Sequence, residues 1–304
     1  MSEQEGSLKD PEAYYNAVPL GTAGKMTLVT GVIDIGRGSY WKMRNSMSRR
    51  EFSFYLTGLR DIMKIDMPMV IHIQKKYEEV VWKARDKNNT KVVITEINDI
   101  RGFPYYKEVQ KIRKSRQWLS PTAQWLQDSC QCRLPDYNPL VMSKPFWLCR
   151  ESKADPFNTQ YFIWLDAGIV QYLKSRLPYP VDAHLLENLA LYLDKFFFLA
   201  YPFYTHTEIQ GFERNACARY SQTDFVDRIC RGGLVGGDKQ HIERVVRLYD
   251  GMLADTLRNG YMGTEESIYT ILSYRYPELF HLEMIEDGNK VYPFFARLAE
   301  GAPA

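Results

Sequence analysis

The chain has 304 residues, a length that suits one large α/β domain or two small ones and can bury a real core. Its 39 Lys and Arg stand against 37 Asp and Glu for a formal net charge of +2, so no global field marks a nucleic-acid binder. There is no run of about 18 apolar residues, the length that suggests a membrane span, and the polar, acidic start MSEQEGSLKD leads us to expect no signal peptide. Cys130, Cys132, Cys149, Cys217 and Cys230 form an odd set, and the C-x-C pair among them lacks zinc-site spacing. They read as free thiols of a reducing compartment, hence of a cytoplasmic protein, with a place at the membrane surface left open. Aromatic residues are plentiful, with 21 Tyr, 15 Phe and 6 Trp. Core burial absorbs most of them, and they can also line sites for flat or sugar-like ligands.

In chain order, residues 1–25 hold Pro11, Pro19, Gly21 and Gly24 and read as a flexible N-terminal arm. Met26 to Ile33 is apolar and β-branched, the pattern of a buried strand, and Asp34-Ile35-Gly36-Arg37-Gly38 follows as a loop. Arg49 to Lys64 reads as an amphipathic helix, Pro68 to Ile73 as a strand, Tyr77 to Asp86 as a helix and Lys91 to Ile97 as a third strand. This alternation predicts a parallel sheet with crossover helices. Tyr105 to Gln127 looks like a polar helix carrying the basic cluster Lys107, Lys111, Arg113, Lys114 and Arg116; a solvated face explains it, and an anionic partner would also suit it. Asn138 to Arg150 reads as a helix with Lys144, Phe146 and Trp147. Tyr161 to Leu165 is the most apolar strand, and it stops at Asp166-Ala167-Gly168. Farther on, Ala183 to Leu193 reads as a helix, Lys195 to Tyr201 as a strand, Arg231 to Gly237 as a glycine-dense apolar strand, His241 to Asn259 as a long helix, and Thr264 to about Tyr274 as another.

Asp166 is the first candidate for chemistry. In open α/β sheets ligands bind beyond the carboxyl ends of the strands, and a strand-end carboxylate can hold a divalent ion that bridges phosphate oxygens. The bland alternative is an Asp that caps the next turn. Arg37 could pair with phosphate in a bidentate way; equally, it could be a surface arginine in a simple turn. There is neither a dinucleotide fingerprint nor a P-loop. Glu265 and Glu266 follow Thr264, a plausible N-cap, so the helix dipole alone would favour them. The histidines show no metal-ligand spacing.

Several pieces in order carry a family resemblance: Leu28-Val29-Thr30-Gly31-Val32-Ile33-Asp34-Ile35-Gly36-Arg37, Pro156-Phe157-Asn158, Phe162-Ile163-Trp164-Leu165-Asp166-Ala167-Gly168-Ile169 and Gly263-Thr264-Glu265-Glu266. Through them the chain resembles the HtrL/YibB family of bacterial proteins from residue 26 to about 285. Members of that family look like GT-A glycosyltransferases. The resemblance implies an α/β fold with a mostly parallel, Rossmann-like central sheet flanked by helices. It implies one GT-A-like catalytic domain over residues 26–304, with a nucleotide-binding half at 26–170 and an acceptor-binding half at 171–304. It also implies a nucleotide-sugar donor, a UDP-sugar foremost, a glycan or other hydroxyl acceptor, and Mn²⁺ or Mg²⁺.

Trp-Leu-Asp-Ala-Gly is similar to the strand-end Asp-x-Asp of that fold, with Gly168 in place of the second acid. On this reading Thr30, Asp34, Arg37, Lys144, Asp166 and Gly168 meet the nucleotide and its phosphates. Asp166 holds the metal, with His281 in the chain position of a late histidine ligand. Glu266, with Glu265 close behind, serves the acceptor as base. Arg231 to Gly237 resembles the acceptor-facing strand. Three alternatives stay open: a binding module without turnover, a metal-independent transferase in which basic side chains replace the ion, and transfer onto a nucleic-acid base. The near-neutral charge argues against the last.

Overall fold

A computed structural model describes residues 26–37, 51–119, 124–174, 176–204, 207–288 and 290–300. The expected N-terminal arm lies outside the described residues. Seven strands form one sheet: β1 (Met26–Val32), β2 (Met69–Ile73), β3 (Thr90–Ile94), β4 (Tyr161–Leu165), β5 (Phe196–Pro202), β8 (Arg228–Asp238) and β9 (Phe280–Met284), in the order β3-β2-β1-β4-β8-β5-β9. A two-stranded hairpin, β6 (Glu208–Ile209) with β7 (Phe212–Glu213), stands apart. All neighbours in the large sheet run parallel except β8, which is antiparallel to both β4 and β5. This is the mostly parallel, helix-flanked α/β sheet expected from the sequence. Strands from both halves of the chain share it, since β8 lies between β4 and β5.

The strands read as near-continuous apolar runs because both faces are covered. Every residue of β2 is buried, and so are all of β4 except Tyr161 and all of β5 except Pro202. Five helices surround the carboxyl ends of β1 and β4 or pack on those that do: α1 (Phe52–Ile62), α2 (Tyr137–Ala154), α3 (Ala167–Lys174), α4 (Lys239–Arg258) and α5 (Glu265–Arg275). Among the described residues, no helix is long and apolar enough to cross a membrane.

Several elements differ from expectation for local reasons. The helix expected over Tyr105 to Gln127 is broken into Tyr106–Arg113, Arg116–Leu119 and Gln124–Gln127. Ser115 Oγ accepts the N–H of Trp118 at 3.1 Å and so starts a new helix in mid-pattern. The third strand ends at Ile94, because Glu96 and Asp99 cap a short helix, Ile97–Arg101, reciprocally. The helix expected over Ala183 to Leu193 stops at Glu187 and tightens into a 3₁₀ turn over Asn188–Tyr192. Of the basic cluster, Lys107, Lys111, Lys114 and Arg116 are exposed, as a solvated face requires. Arg113 instead turns inward to the Cys132 carbonyl at 2.8 Å.

The contact that seats α3, and with it the end of β4, is between α1 and α3. At Gly58 an added Cβ would lie 2.0 Å from the Ala167 carbonyl oxygen, a backbone atom that cannot move aside cheaply. Gly58→Ala is therefore expected to destabilise the fold by about 1–3 kcal/mol, as overpacking of a tight core does. Urea unfolding measures this; an unchanged midpoint would show that the two helices do not pack as closely as described.

Candidate active site

From β1 the chain moves outward through β2 and β3 and then returns to β4 on the other side of β1. The carboxyl ends of β1 and β4 thus flank a topological switch point, where open α/β sheets place their ligands. A cavity of about 190 Å³ opens there, lined by Arg37, Lys144, Asp166, Arg231, Glu265 and Glu266 among others. That is many times the ~10–15 Å³ one water needs.

Asp166 is held from both sides. Its N–H donates to the Gly233 carbonyl of β8 at 2.8 Å, and its own carbonyl accepts the Ile169 N–H at 3.0 Å as α3 begins. Just before it, the Thr30 hydroxyl donates to the Leu165 carbonyl at 2.7 Å. The Asp166 side chain accepts the indole N–H of Trp164 on Oδ1 at 2.7 Å and the Lys144 ammonium on Oδ2 at 2.8 Å. Lys144 also donates to Glu265 Oε1 at 3.0 Å. Burial alone would lower the lysine's pKa, but the two carboxylates outweigh it and hold the pKa above its ordinary value.

Glu265 and Glu266 stand in the first turn of α5, with Thr264 at the N-cap position as expected. Glu266 Oε1 accepts the Gly232 N–H at 2.8 Å and Arg231 Nη1 at 3.1 Å. Burial pushes the Glu265 carboxyl up to about 7, against the pull of Lys144 and with further push from Glu266 and Asp166.

Glycines make these approaches possible. A Cβ on Gly232 would lie 2.8 Å from Glu265 Oε1, and one on Gly233 would lie 2.3 Å from the Ile169 side chain and 3.5 Å from Asp166 Oδ2. Here β8 also slips its register against β5: Val235 pairs with Phe198, but Arg231 pairs with Leu199. A bulge and a close approach thus coincide at this one place in the glycine-dense strand.

Arg37 completes the set. Its guanidinium donates to the Tyr55 hydroxyl and lies 4.6 Å from the Tyr55 ring centroid and 5.1 Å from that of Tyr137. Burial would lower its pKa, but Tyr55, Tyr137, Cys130 and Asp166 together raise it.

The sequence-derived candidates divide clearly. Arg37, Lys144, Asp166, Gly168, Glu265 and Glu266 come together around the cavity. Thr30 is fully buried, spends its hydroxyl on the Leu165 carbonyl just before Asp166, and lies outside the cavity lining. Asp34 turns toward the segment after β2, near Lys76 Nζ at 3.5 Å, and lies outside the cavity lining. His281 is on β9, three strands from β4, beside Asp194 and Glu283 at 3.9 and 3.5 Å; it does not share a site with Asp166.

Tyr55, Tyr137 and Arg231 were missed as site residues. Tyr137 had a readable signal, since Tyr137, Leu140, Val141, Lys144 and Trp147 recur at helical spacing and all line the cavity. Arg231 was visible only as the first residue of the glycine-dense strand.

A divalent ion fits this donor set poorly. Both Asp166 oxygens already accept N–H groups, one from a nearly fully buried indole and one from a lysine. Among the described residues no three His, Cys, Asp or Glu side chains are grouped so as to hold a metal.

The chain belongs to the family described as a bacterial protein of unknown function (HtrL_YibB), whose model it matches over residues 24–296. No curated protein matches it. Among solved structures it is similar to the crystal structure of mouse xyloside xylosyltransferase 1 in its apo form, with 8% identity and a TM-score of 0.39 over 85% of this chain and 84% of that one. So distant a likeness carries no weight for function.

The Glu265 carboxyl gives a pH prediction. Its folded pKa, about 7, lies above its ordinary 4.5, so the folded protein binds the proton more tightly than the unfolded chain. Its contribution to stability is fully present below pH 4.5 and is lost as pH rises through about 7. Glu265→Gln should flatten the pH dependence of the unfolding free energy across that window, as read by urea unfolding at stepped pH. Parallel profiles for variant and wild type would contradict the assignment.

Proposed function

We propose that the protein is a glycosyltransferase that moves a sugar from a nucleotide-sugar, a UDP-sugar foremost, to a hydroxyl of a glycan or other acceptor. The observation that carries this reading is the convergence of Arg37, Lys144 and Arg231 with Asp166, Glu265 and Glu266 at the switch point of the sheet. Sugar transfer from such a donor needs both kinds of group. The leaving nucleoside diphosphate develops negative charge, which preorganised cations stabilise. The acceptor hydroxyl loses a proton, which a carboxylate takes.

Roles follow from the contacts. Arg37 and Lys144 face the diphosphate. Asp166 and Glu265 orient the Lys144 ammonium between them. Glu266, fixed by Arg231 and the Gly232 N–H, is the carboxylate aligned for the acceptor. The bond from the anomeric carbon to the diphosphate oxygen breaks as the acceptor oxygen bonds that carbon, and the hydroxyl proton passes to Glu266. Gln210, in the turn between β6 and β7, also lines the cavity and donates to the Tyr201 hydroxyl at 3.0 Å.

Two variants test this on a panel of nucleotide-sugars and glycan acceptors. Asp166→Ala should abolish transfer while circular dichroism shows the fold retained. Glu266→Gln should lower kcat about 10²–10⁴-fold, the usual contribution of a general base, with nucleotide affinity unchanged by calorimetry. Full transfer in Asp166→Ala, or nucleotide binding without transfer by the wild type across the whole panel, would contradict the proposal.

A further inference from the structure

Resting on that reading, we infer that Lys144 is the built-in cation of the donor site: its ammonium fills the place between Asp166 and Glu265 where a divalent ion would sit, and the donor diphosphate binds without metal. The first support is geometric. Lys144 Nζ lies 2.8 Å from Asp166 Oδ2 and 3.0 Å from Glu265 Oε1, so one positive charge bridges two acids that come from different elements. The side chain is only 13% exposed, and it projects from the α2 stripe that also carries Tyr137. A divalent ion on the same oxygens would lie within a few ångströms of that ammonium. Like charges so close repel strongly in a partly dehydrated site, so the ion must first displace a tethered lysine.

The second support is the other Asp166 oxygen. Oδ1 accepts the indole N–H of Trp164, whose side chain is 1% exposed and packed in the core. This donor cannot swing away without opening the core, so one of the two lone pairs of Oδ1 stays occupied. The third support is the number of donors left over. An ammonium has three N–H bonds; Asp166 and Glu265 take two, and the third remains for a phosphate oxygen. Arg37 adds a second cation. Among the described residues no carboxylate stands at ion-pair distance from it, and its partners are the Tyr55 hydroxyl and two aromatic rings. Two cations held in place before the donor arrives perform the electrostatic work that a metal performs elsewhere. Glycine at position 168 agrees with this: the fold gives Asp166 no second strand-end acid to share an ion.

The experiment has two arms. In the first, Mn²⁺ alone is titrated into the full chain and the free ion is followed by electron paramagnetic resonance. The wild type should leave Mn²⁺ free. Lys144→Met, which frees Asp166 and Glu265, should take up one equivalent, and added Mn²⁺ should raise its Tm. In the second, UDP binding is measured by calorimetry with EDTA or with Mn²⁺. Wild-type affinity should be the same in both. Lys144→Met should lose at least about tenfold in EDTA, the order of one charge-assisted contact, and regain it with Mn²⁺. If Lys144→Met does not fold, Lys144→Gln, likewise uncharged, replaces it, and the wild-type measurements stand unchanged. Stoichiometric Mn²⁺ uptake by the wild type, or UDP affinity lost in EDTA, overturns the inference. If UDP binds under neither condition, the reading of a UDP-sugar donor fails, while the Mn²⁺ arm still decides what occupies the place between the two acids.

Discussion

The structure turns on one ammonium group held between two carboxylates. Lys144 joins α2 to the end of β4 through Asp166 and to the start of α5 through Glu265, across sequence separations of 22 and 121 residues. Glu265 is 5% exposed and Asp166 30%, so these charges stand in surroundings where an unpaired ion is expensive. Removing one partner of such a buried pair typically costs roughly 3–5 kcal/mol, because the other is left uncompensated. The three segments are therefore bound to one relative placement, and that placement gives the cavity its shape.

The rest of the fold supports the same placement. Thr30 and Gly233 fix the backbone around Asp166 by hydrogen bonds from either side of β4. Gly58 lets α1 lie against the first turn of α3. On the far side, β8 runs against the direction of its neighbours and slips register at the glycines, so that Arg231, Gly232 and Gly233 meet the acids of α5 and the strand end together. An antiparallel strand inserted in a parallel sheet thereby carries residues from the later half of the chain into a site begun by the earlier half. Cations and acids line the same cavity, which suits a reaction that stabilises a leaving anion and removes a proton in one place.

Much of this was legible in the sequence, and the limits have physical causes. The apolar runs at β1, β2 and β4 declared themselves, because strands buried on both faces leave little ambiguity. Asp166 was found by its position after such a run, and Glu265 and Glu266 by their position after a plausible cap. What could not be read is what depends on long-range contact. Thr30 looked like a ligand contact because it lies near the end of β1, but its hydroxyl satisfies a carbonyl 135 residues away. His281 was given a metal role from chain order alone, and strand order then set it at the far edge of the sheet. Arg231 gave no signal by itself, because its value comes from the register slip. The partner of Lys144 was equally hidden: a lone lysine on a helix is usually solvated, and only the tertiary fold shows two acids closing on it.

The most direct measurement is a co-crystal structure with UDP. We expect a diphosphate oxygen within hydrogen-bond distance of Lys144 Nζ, with Arg37 on the same diphosphate and Glu266 facing the open side of the cavity. A nucleotide bound elsewhere, or one whose phosphates point away from Lys144 and Arg37, would contradict the role given to this lysine.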